Sequence, residues 1–244
     1  MRAALVTGAA SGIGRAIAAR LEGDGWGVLA VDVAPDPDGP GEAHAADLTT
    51  RDGNVGAVEA ALGRFGRLDA VVANAGLQHV APVEEFPEDR WDMLVAVLLT
   101  SPFLLAKHAW PALGQSGDGR FLVVASVHGL VASPYKAGYV AAKHGVLGLV
   151  KVLALEGAER GIAVAALCPG YVRTPMVEEQ IAAQAAAHGI PEEQLLEDVL
   201  LAPQARKQLL EPEEVAEAAA FLLGPVGRSI TGSPLLLDGG WLAR

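Results

Sequence analysis

Cysteine is almost absent: Cys168 is the single one among 244 residues. One thiol supports neither an internal disulfide framework nor a multi-cysteine metal site, and it fits a reducing, cytoplasmic compartment. Basic residues are also scarce. Eighteen Lys and Arg against 29 Asp and Glu leave a net charge of −11. Nucleic-acid partners call for a basic footprint and anionic membranes for a polybasic cluster, so neither partner is expected. No apolar run approaches the ~18–20 residues of a membrane-spanning helix. The opening Met1–Val6 is faintly like a signal peptide, but a glycine motif begins at Gly8, so it reads as a first buried strand. His44, His79, His108, His144 and His188 lack ligand-like spacing with carboxylates, and no catalytic metal is expected. Internal repeats and low-complexity tracts are missing as well.

What is present is core-forming material: 51% apolar against 19% charged residues. The length lies between one and two domains of ~150 residues. Strand-like runs alternate with helical ones along the whole chain. Ala3–Val6 precedes a helix over Gly12–Glu22, and Gly27–Val31 ends at Asp32. A helix over Asp52–Arg64 leads to Ala70–Ala73, and one over Trp91–Leu113 leads to Phe121–Ala125. Tyr139–Glu159 leads to Ile162–Leu167, and Pro212–Leu223 to Ser233–Leu237. Continuous apolar strands alternating with helices predict an α/β fold, a doubly wound parallel sheet covered on both faces. Residues 1–244 are read as one domain. Ala34–Pro40, rich in Pro, Asp and Gly, is a surface loop. Residues 174–211 form an insertion of helical composition broken at Gly189-Ile190-Pro191, placed where α/β enzymes carry a lid.

Thr7-Gly8-Ala9-Ala10-Ser11-Gly12-Ile13-Gly14 lies between the first strand and the first helix. Glycines there allow a sharp turn, a close ligand approach and tight helix–sheet packing, and the helix amino end offers N–H groups to a pyrophosphate. Asp32 follows at the offset where an acid meets the ribose hydroxyls of a dinucleotide. A carboxylate there repels a 2′-phosphate, and Val33-Ala34-Pro35-Asp36 supplies no Arg to receive one, so NAD is preferred over NADP.

Tyr139 and Lys143 stand at i and i+4, on one helix face. A phenol of pKa ~10 is a poor base at neutral pH, and a neighbouring ammonium with an oxidised nicotinamide is expected to lower it. Ser126, at the end of the preceding strand, is placed to hold a substrate oxygen beside Tyr139. Cys168 is expected to be a small buried residue.

The set Thr7-Gly8-x-x-x-Gly12-x-Gly14, Asn74-Ala75-Gly76, Ser126, Tyr139-x-x-x-Lys143 and Pro169-Gly170 resembles the short-chain dehydrogenase/reductase family over essentially the whole chain. The resemblance implies a Rossmann-fold domain, NAD(P)-dependent hydride transfer and a homotetramer. It assigns acid/base work to Tyr139, nicotinamide-ribose binding and tuning to Lys143, and orientation of the reacting oxygen to Ser126. Its implied cofactor contacts are Gly8, Ser11, Gly12, Ile13, Gly14, Asp32, the adenine-flanking Asp47 and Leu48, Asn74, Ala75, Gly76, Pro169, Gly170, Val172 and Thr174. One departure stands out: Val97-Leu98-Leu99-Thr100 places Leu98 where the family usually has an Asn that holds a relay water. The Leu98 carbonyl can still accept from that water, because a backbone acceptor does not depend on side-chain type.

Within the family, Asn74–Val83, Ala125–Lys136, Tyr139–Gly145, Cys168–Gln180 and Asp238–Leu242 are similar to the branch that oxidises D-3-hydroxybutyrate. That likeness implies that Gln78, His128, Lys136 and Gln180 bind a substrate carboxylate, alongside Ser126 and Tyr139. The chemistry agrees: a β-hydroxy acid carries its anion near the reacting carbon, and Lys136 supplies a full positive charge. Rival readings are a related dehydrogenase for another hydroxy acid, polyol or 3-oxoacyl substrate, and a non-catalytic NAD sensor. Indifference to loss of Lys136 marks the first, and cofactor binding without turnover marks the second.

Overall fold

The apolar runs become strands β1 (Ala3–Thr7), β2 (Gly27–Asp32), β3 (Glu42–Ala45), β4 (Ala70–Ala73), β5 (Gly119–Val124), β6 (Ile162–Pro169) and β7 (Pro234–Leu237). Between them lie α1 (Gly12–Gly23), α2 (Arg51–Phe65), α3 (Glu88–Val95), α4 (Ser101–Gln115), α5 (Ala137–Ala158), α6 (Pro175–His188), α7 (Glu192–Leu195) and α8 (Pro212–Leu223). The computed structural model describes residues 1–243, and all side chains among them except those at 183, 184 and 186–188.

All seven strands pair in parallel, in the order β3-β2-β1-β4-β5-β6-β7. The chain therefore winds outward in both directions from the β1–β4 junction, which opens a crevice at the carboxyl ends of those strands. Side chains alternate across the sheet with period two. Leu5, Val71, Phe121 and Val123 pack toward one face with Ala57, Leu105 and Val146. Ala4, Val6, Val72, Leu122 and Leu167 pack toward the other with Ile17, Val215 and Ala219. Truncating one such Leu to Ala would cost about 2–5 kcal/mol, so the core holds the strand ends, and the site on them, in place.

Two elements differ from the sequence reading. Glu42–Ala45 is an edge strand, paired Leu29↔Glu42 to Asp32↔Ala45. Its alternating half-buried and exposed residues form no apolar run, and its charge blunts the sheet edge. The second is the long helix. Residues Glu88–Gln115 run continuously, with a π turn at Ala96–Thr100 joining α3 to α4. Contrary to the apolar-run expectation, Glu88–Gln115 and Ala137–Ala158 are long and apolar enough to cross a membrane, and about half of each apolar window is buried inside the fold.

Residues 174–211 build α6, α7 and a second π turn, Leu196–Leu200, with Gly189 at φ +64° between the helices. They gather a small apolar core of their own: Ile181, Ala185, Leu195, Leu200, Leu201 and Leu209.

Candidate active site

The β1–α1 connection presents unpaired amides. Ser11 caps α1 with extended backbone and no side-chain cap bond, and Arg15 N–H is the first to turn back, onto the Ser11 carbonyl at 3.2 Å. The Gly12, Ile13 and Gly14 N–H groups thus precede the intrahelical ladder, at the positive end of the helix. Gly12 sits at φ +52°, and a Cβ there would lie 3.0 Å from Thr174 Cγ2 across the crevice. Gly14 serves packing instead. Its missing Cβ leaves room for the Gly8 carbonyl, which such a carbon would meet at 2.0 Å. Gly14 therefore seats α1 against the loop and does not form a wall of the crevice.

Asp32 closes the same corner. Its carboxylate accepts from Ala10 N–H at 3.1 Å and Ala34 N–H at 3.3 Å. Asn74 ties β4 to the glycine loop, its Nδ2 donating to the Thr7 carbonyl at 2.9 Å and the Gly8 carbonyl at 3.2 Å. Thr7 Oγ1 accepts from Asn74 and Ala75 N–H at 2.9 and 3.0 Å.

A cleft of about 320 Å³ opens here, walled by Gly8, Ser11, Gly12, Ile13, Asp32, Asn74, Gly76, Leu98, Ser126, Tyr139, Lys143, Pro169, Gly170, Val172 and Thr174. Leu77, Ala125 and residues 175–177 complete it, the last group from the start of α6. Asp47, Leu48 and Ala75 are not among its walls. Asp47 accepts from Thr49 Oγ1 and Thr49 N–H, which hold its carboxyl below the usual range. Leu48 is buried, its carbonyl taking Asn54 Nδ2 at 3.0 Å. Ala75 is committed to Thr7.

Tyr139 and Lys143 lie one turn apart on α5, and Ser126, two residues after β5, lies against Tyr139. Ser126 Oγ also accepts from His128 N–H at 3.1 Å, which fixes the turn Val127–Gly129. Lys143 donates to the Val124 carbonyl at 2.8 Å, with Nζ 5.6 Å from the Tyr139 ring centre. Burial lowers the Lys143 amine to about 8. Burial also lifts Tyr139 to about 12, partly offset by the Ser126 hydrogen bond. The expected lowering of the phenol is therefore not what these side chains produce, because desolvation outweighs them. Cys168 is fully buried, its thiol pushed up to about 11 by burial, so it is no thiolate nucleophile. Leu98 is 2% exposed and packs with Leu94 and Ala142, with Tyr139 alongside.

A second cluster borders Tyr139. Lys136 is 7% exposed; its Nζ donates to Tyr171 Oη at 3.0 Å and makes no ion pair among the described residues. His128 Nε2 is 2.8 Å from Ser133 Oγ. The His128 ring stands edge-on to Tyr139, Tyr171 and Trp241 at 6.0, 6.5 and 5.4 Å. Burial and the Lys136 charge push His128 down to about 4, so it is a neutral imidazole at neutral pH. Tyr171 stacks on Trp241 at 5.9 Å. The structure thus brings Lys136 and His128 together around Tyr171, with the His128 ring edge-on to Tyr139; neither is among the walls of the cleft. Gln78 is instead turned onto its own loop, its Oε1 accepting from His79 N–H at 2.9 Å. Gln180, half-buried on α6, makes no side-chain hydrogen bond among the described residues. The two loops are nonetheless linked: the carbonyl of Tyr135, a residue at φ +68°, accepts from Ala81 N–H at 2.9 Å.

Tyr171, Ser133 and Trp241 escaped the reading of the sequence as site residues. Only the likeness of Asp238–Leu242 to the hydroxybutyrate branch hinted at Trp241. Asp238 accepts from Gly240 and Leu242 N–H at 3.0 and 2.9 Å, shaping the turn that presents that ring. Among the described residues no group of three His, Cys, Asp or Glu is placed to hold a metal. The His188 side chain lies outside the described residues.

A family model described as enoyl-(acyl carrier protein) reductase matches residues 8–242. The chain is 42% identical to a D-beta-hydroxybutyrate dehydrogenase of Rhizobium meliloti over 256 aligned positions, covering 100% of this chain and 99% of that protein. It is 41% identical to a protein of the same name from Cupriavidus necator, over 100% of this chain and 98% of that one. Among solved structures, an actinorhodin polyketide ketoreductase variant with NADPH superposes with a TM-score of 0.90 at 32% identity, covering 98% of this chain and 97% of that one.

Proposed function

The chain belongs to the short-chain dehydrogenase/reductase family, and on that footing we propose that it oxidises (R)-3-hydroxybutyrate to acetoacetate with NAD. One observation carries the substrate class. A buried ammonium, Lys136, three residues before the reacting tyrosine, has only a neutral phenol and the neutral imidazole that borders Tyr139 for company. Burying an unpaired cation is costly, and an incoming carboxylate supplies the missing partner. The full-length likeness to two D-beta-hydroxybutyrate dehydrogenases supports the same substrate.

The residues present fit a nicotinamide cofactor. The Gly12–Gly14 amides and the uncommitted Ser11 hydroxyl form an anion cradle for the pyrophosphate. Asp32 would accept from the adenosine ribose hydroxyls and disfavour a 2′-phosphate, and Asp47 and Leu48, outside the cleft walls, would flank the adenine. Asn74, Ala75 and Gly76 would run along the cofactor, and Pro169, Gly170, Val172 and Thr174 would bound its nicotinamide end. A bound nicotinamide would supply the acceptor for the hydride that leaves C3 of the substrate.

The side chains do the rest. Lys136 and His128 hold the carboxylate, with Gln78 and Gln180 turning toward it. Ser126 steadies the C3 oxygen, and Tyr139 takes its proton as the carbonyl forms. A phenol near 12 stays protonated at neutral pH and cannot take a proton, so the positive charge of Lys143 and of the oxidised nicotinamide must favour the phenolate. Lys143 binds the nicotinamide ribose, with the Leu98 carbonyl holding the relay water. Residues 174–211 act as the lid, with α6 and α7 packed on an apolar core of their own.

The test mixes the purified protein with NAD and each enantiomer of 3-hydroxybutyrate and follows NADH, then repeats with NADP and with Lys136→Ala. Turnover of the R form with NAD is expected. Lys136→Ala should raise KM by at least about thirtyfold, since breaking a buried charge pair costs about 2–5 kcal/mol. Tyr139→Phe should cut kcat by about 10²–10⁴-fold while cofactor still binds. Failure to turn over either enantiomer would sink the substrate assignment.

A further inference from the structure

Lys136 and Tyr171 form an unusual pair. The lysine caps the start of α5, and its carbonyl accepts from Val140 N–H at 2.9 Å. Tyr171 follows β6 by two residues, and its carbonyl accepts from Leu210 N–H at 2.9 Å. The two backbones are therefore anchored independently, and the side chains meet at 3.0 Å between Nζ and Oη. Trp241 stacked on Tyr171 and the edge of His128 hold the phenol ring in place.

A buried cation meant for stability would face a carboxylate. A phenol is a poor substitute: burial lifts Tyr171 to about 12, so it stays neutral and offers an acceptor oxygen, with its ring centre 5.1 Å from Nζ. It cannot offset the desolvation of an ammonium. It can fix where the ammonium sits. A lysine side chain has four rotatable bonds and three donors. One donor on Oη holds the head group and leaves two for an anion.

We propose that Tyr171 is the positioning residue that sets selectivity for carboxylate substrates, acting through Lys136. The inference rests on the carboxylate reading of Lys136 given above and adds the residue that aims it. Tyr171 does not compete with the substrate, because it takes one of the three ammonium donors and leaves two for the anion. Its loss should therefore weaken anion binding, not strengthen it.

The experiment compares wild type, Tyr171→Phe, Lys136→Ala and the double variant. With (R)-3-hydroxybutyrate, Tyr171→Phe should raise KM about tenfold and leave kcat within about twofold. With the neutral methyl ester of the same alcohol, KM should not move. A merely structural role would shift both substrates alike, and that result would overturn the proposal. In the Lys136→Ala background, Tyr171→Phe should have no further effect on KM for the acid, because contacting residues couple. An undiminished tenfold effect there would also overturn it. Acetate binding, followed by the fluorescence of Trp241 and its loss in a Trp241→Phe control, gives a readout independent of turnover. If wild type binds acetate about tenfold tighter than Tyr171→Phe yet fails to oxidise 3-hydroxybutyrate, the substrate assignment falls and the Tyr171 inference stands. If acetate binds both proteins equally, the inference falls whatever the substrate.

Discussion

Replacing Lys143 with Met should stabilise the fold at neutral pH while abolishing turnover. Lys143 is 5% exposed, and burial lowers its amine from 10.5 to about 8. At about 1.4 kcal/mol per pKa step, a buried charge at pH 7 costs the folded state about 3 kcal/mol. The sign follows from proton counts. Between pH 8 and 10.5 the unfolded lysine binds more protons than the folded one, so wild-type stability rises with pH there and is lowest below 8. Met has nearly the same length and no charge to desolvate. Against it stands the Val124 carbonyl, which loses its donor at 2.8 Å. An orphaned buried acceptor costs about 1–3 kcal/mol. The variant should therefore equal or exceed wild type at pH 7 by up to about 2 kcal/mol, or about 4–8 °C in Tm for a chain of this size. At pH 9.5 wild type should have recovered about 2 kcal/mol relative to the variant. The tyrosines and Cys168 titrate in both proteins and cancel to first order in the difference. Urea unfolding at the two pH values measures it. A variant several kcal/mol less stable than wild type at pH 7, or a gap that ignores pH, would refute the reasoning.

Two further outcomes are expected. Gly14→Ala places a carbon 2.0 Å from the Gly8 carbonyl; the loop must shift, and thermal melting should show a loss of about 1–3 kcal/mol from overpacking, with weakened binding of ADP as a cofactor fragment. Leu98→Asn exchanges a 2% exposed Leu for an amide. Its removal from the Leu94–Ala142 cluster should cost about 2–4 kcal/mol of stability. Unchanged kcat and an unchanged solvent isotope effect would be consistent with the backbone carbonyl serving the relay, whereas a large gain in kcat would show that the native relay is impaired.

The legible parts of the site were those set by local spacing. The glycine loop, Asp32 and the Tyr139–Lys143 pair each follow from a strand-to-helix junction or one helical turn, and the structure places them around one cleft. Lys136 and His128 were legible through the likeness to the hydroxybutyrate branch, and the structure sets them around Tyr171. Tyr171 and Trp241 were not. Their stacking joins segments 70 positions apart, and neither residue carries a spacing signal of its own. Among the strands, Glu42–Ala45 was hidden because an edge strand exposed on alternate residues presents no apolar run. The phenol of Tyr139 shows a different limit: a lowered pKa was expected from an ammonium together with an oxidised nicotinamide, and the protein's own side chains, through burial, push it the other way.

The π turn at Ala96–Thr100 has a consequence for how the chain tolerates length changes. A π turn closes from residue i to i+5, one residue wider than an α turn, as Ser101 N–H does onto the Ala96 carbonyl. Deleting one residue there would let an ordinary α turn close while the apolar faces of Glu88–Val95 and Ser101–Gln115 keep their phase toward the sheet. Deleting two would rotate one half against the other by about 100° and expose Leu104 and Leu105. A single-residue gap at this place would therefore be felt in the cleft wall at Leu98 and hardly at all in the core.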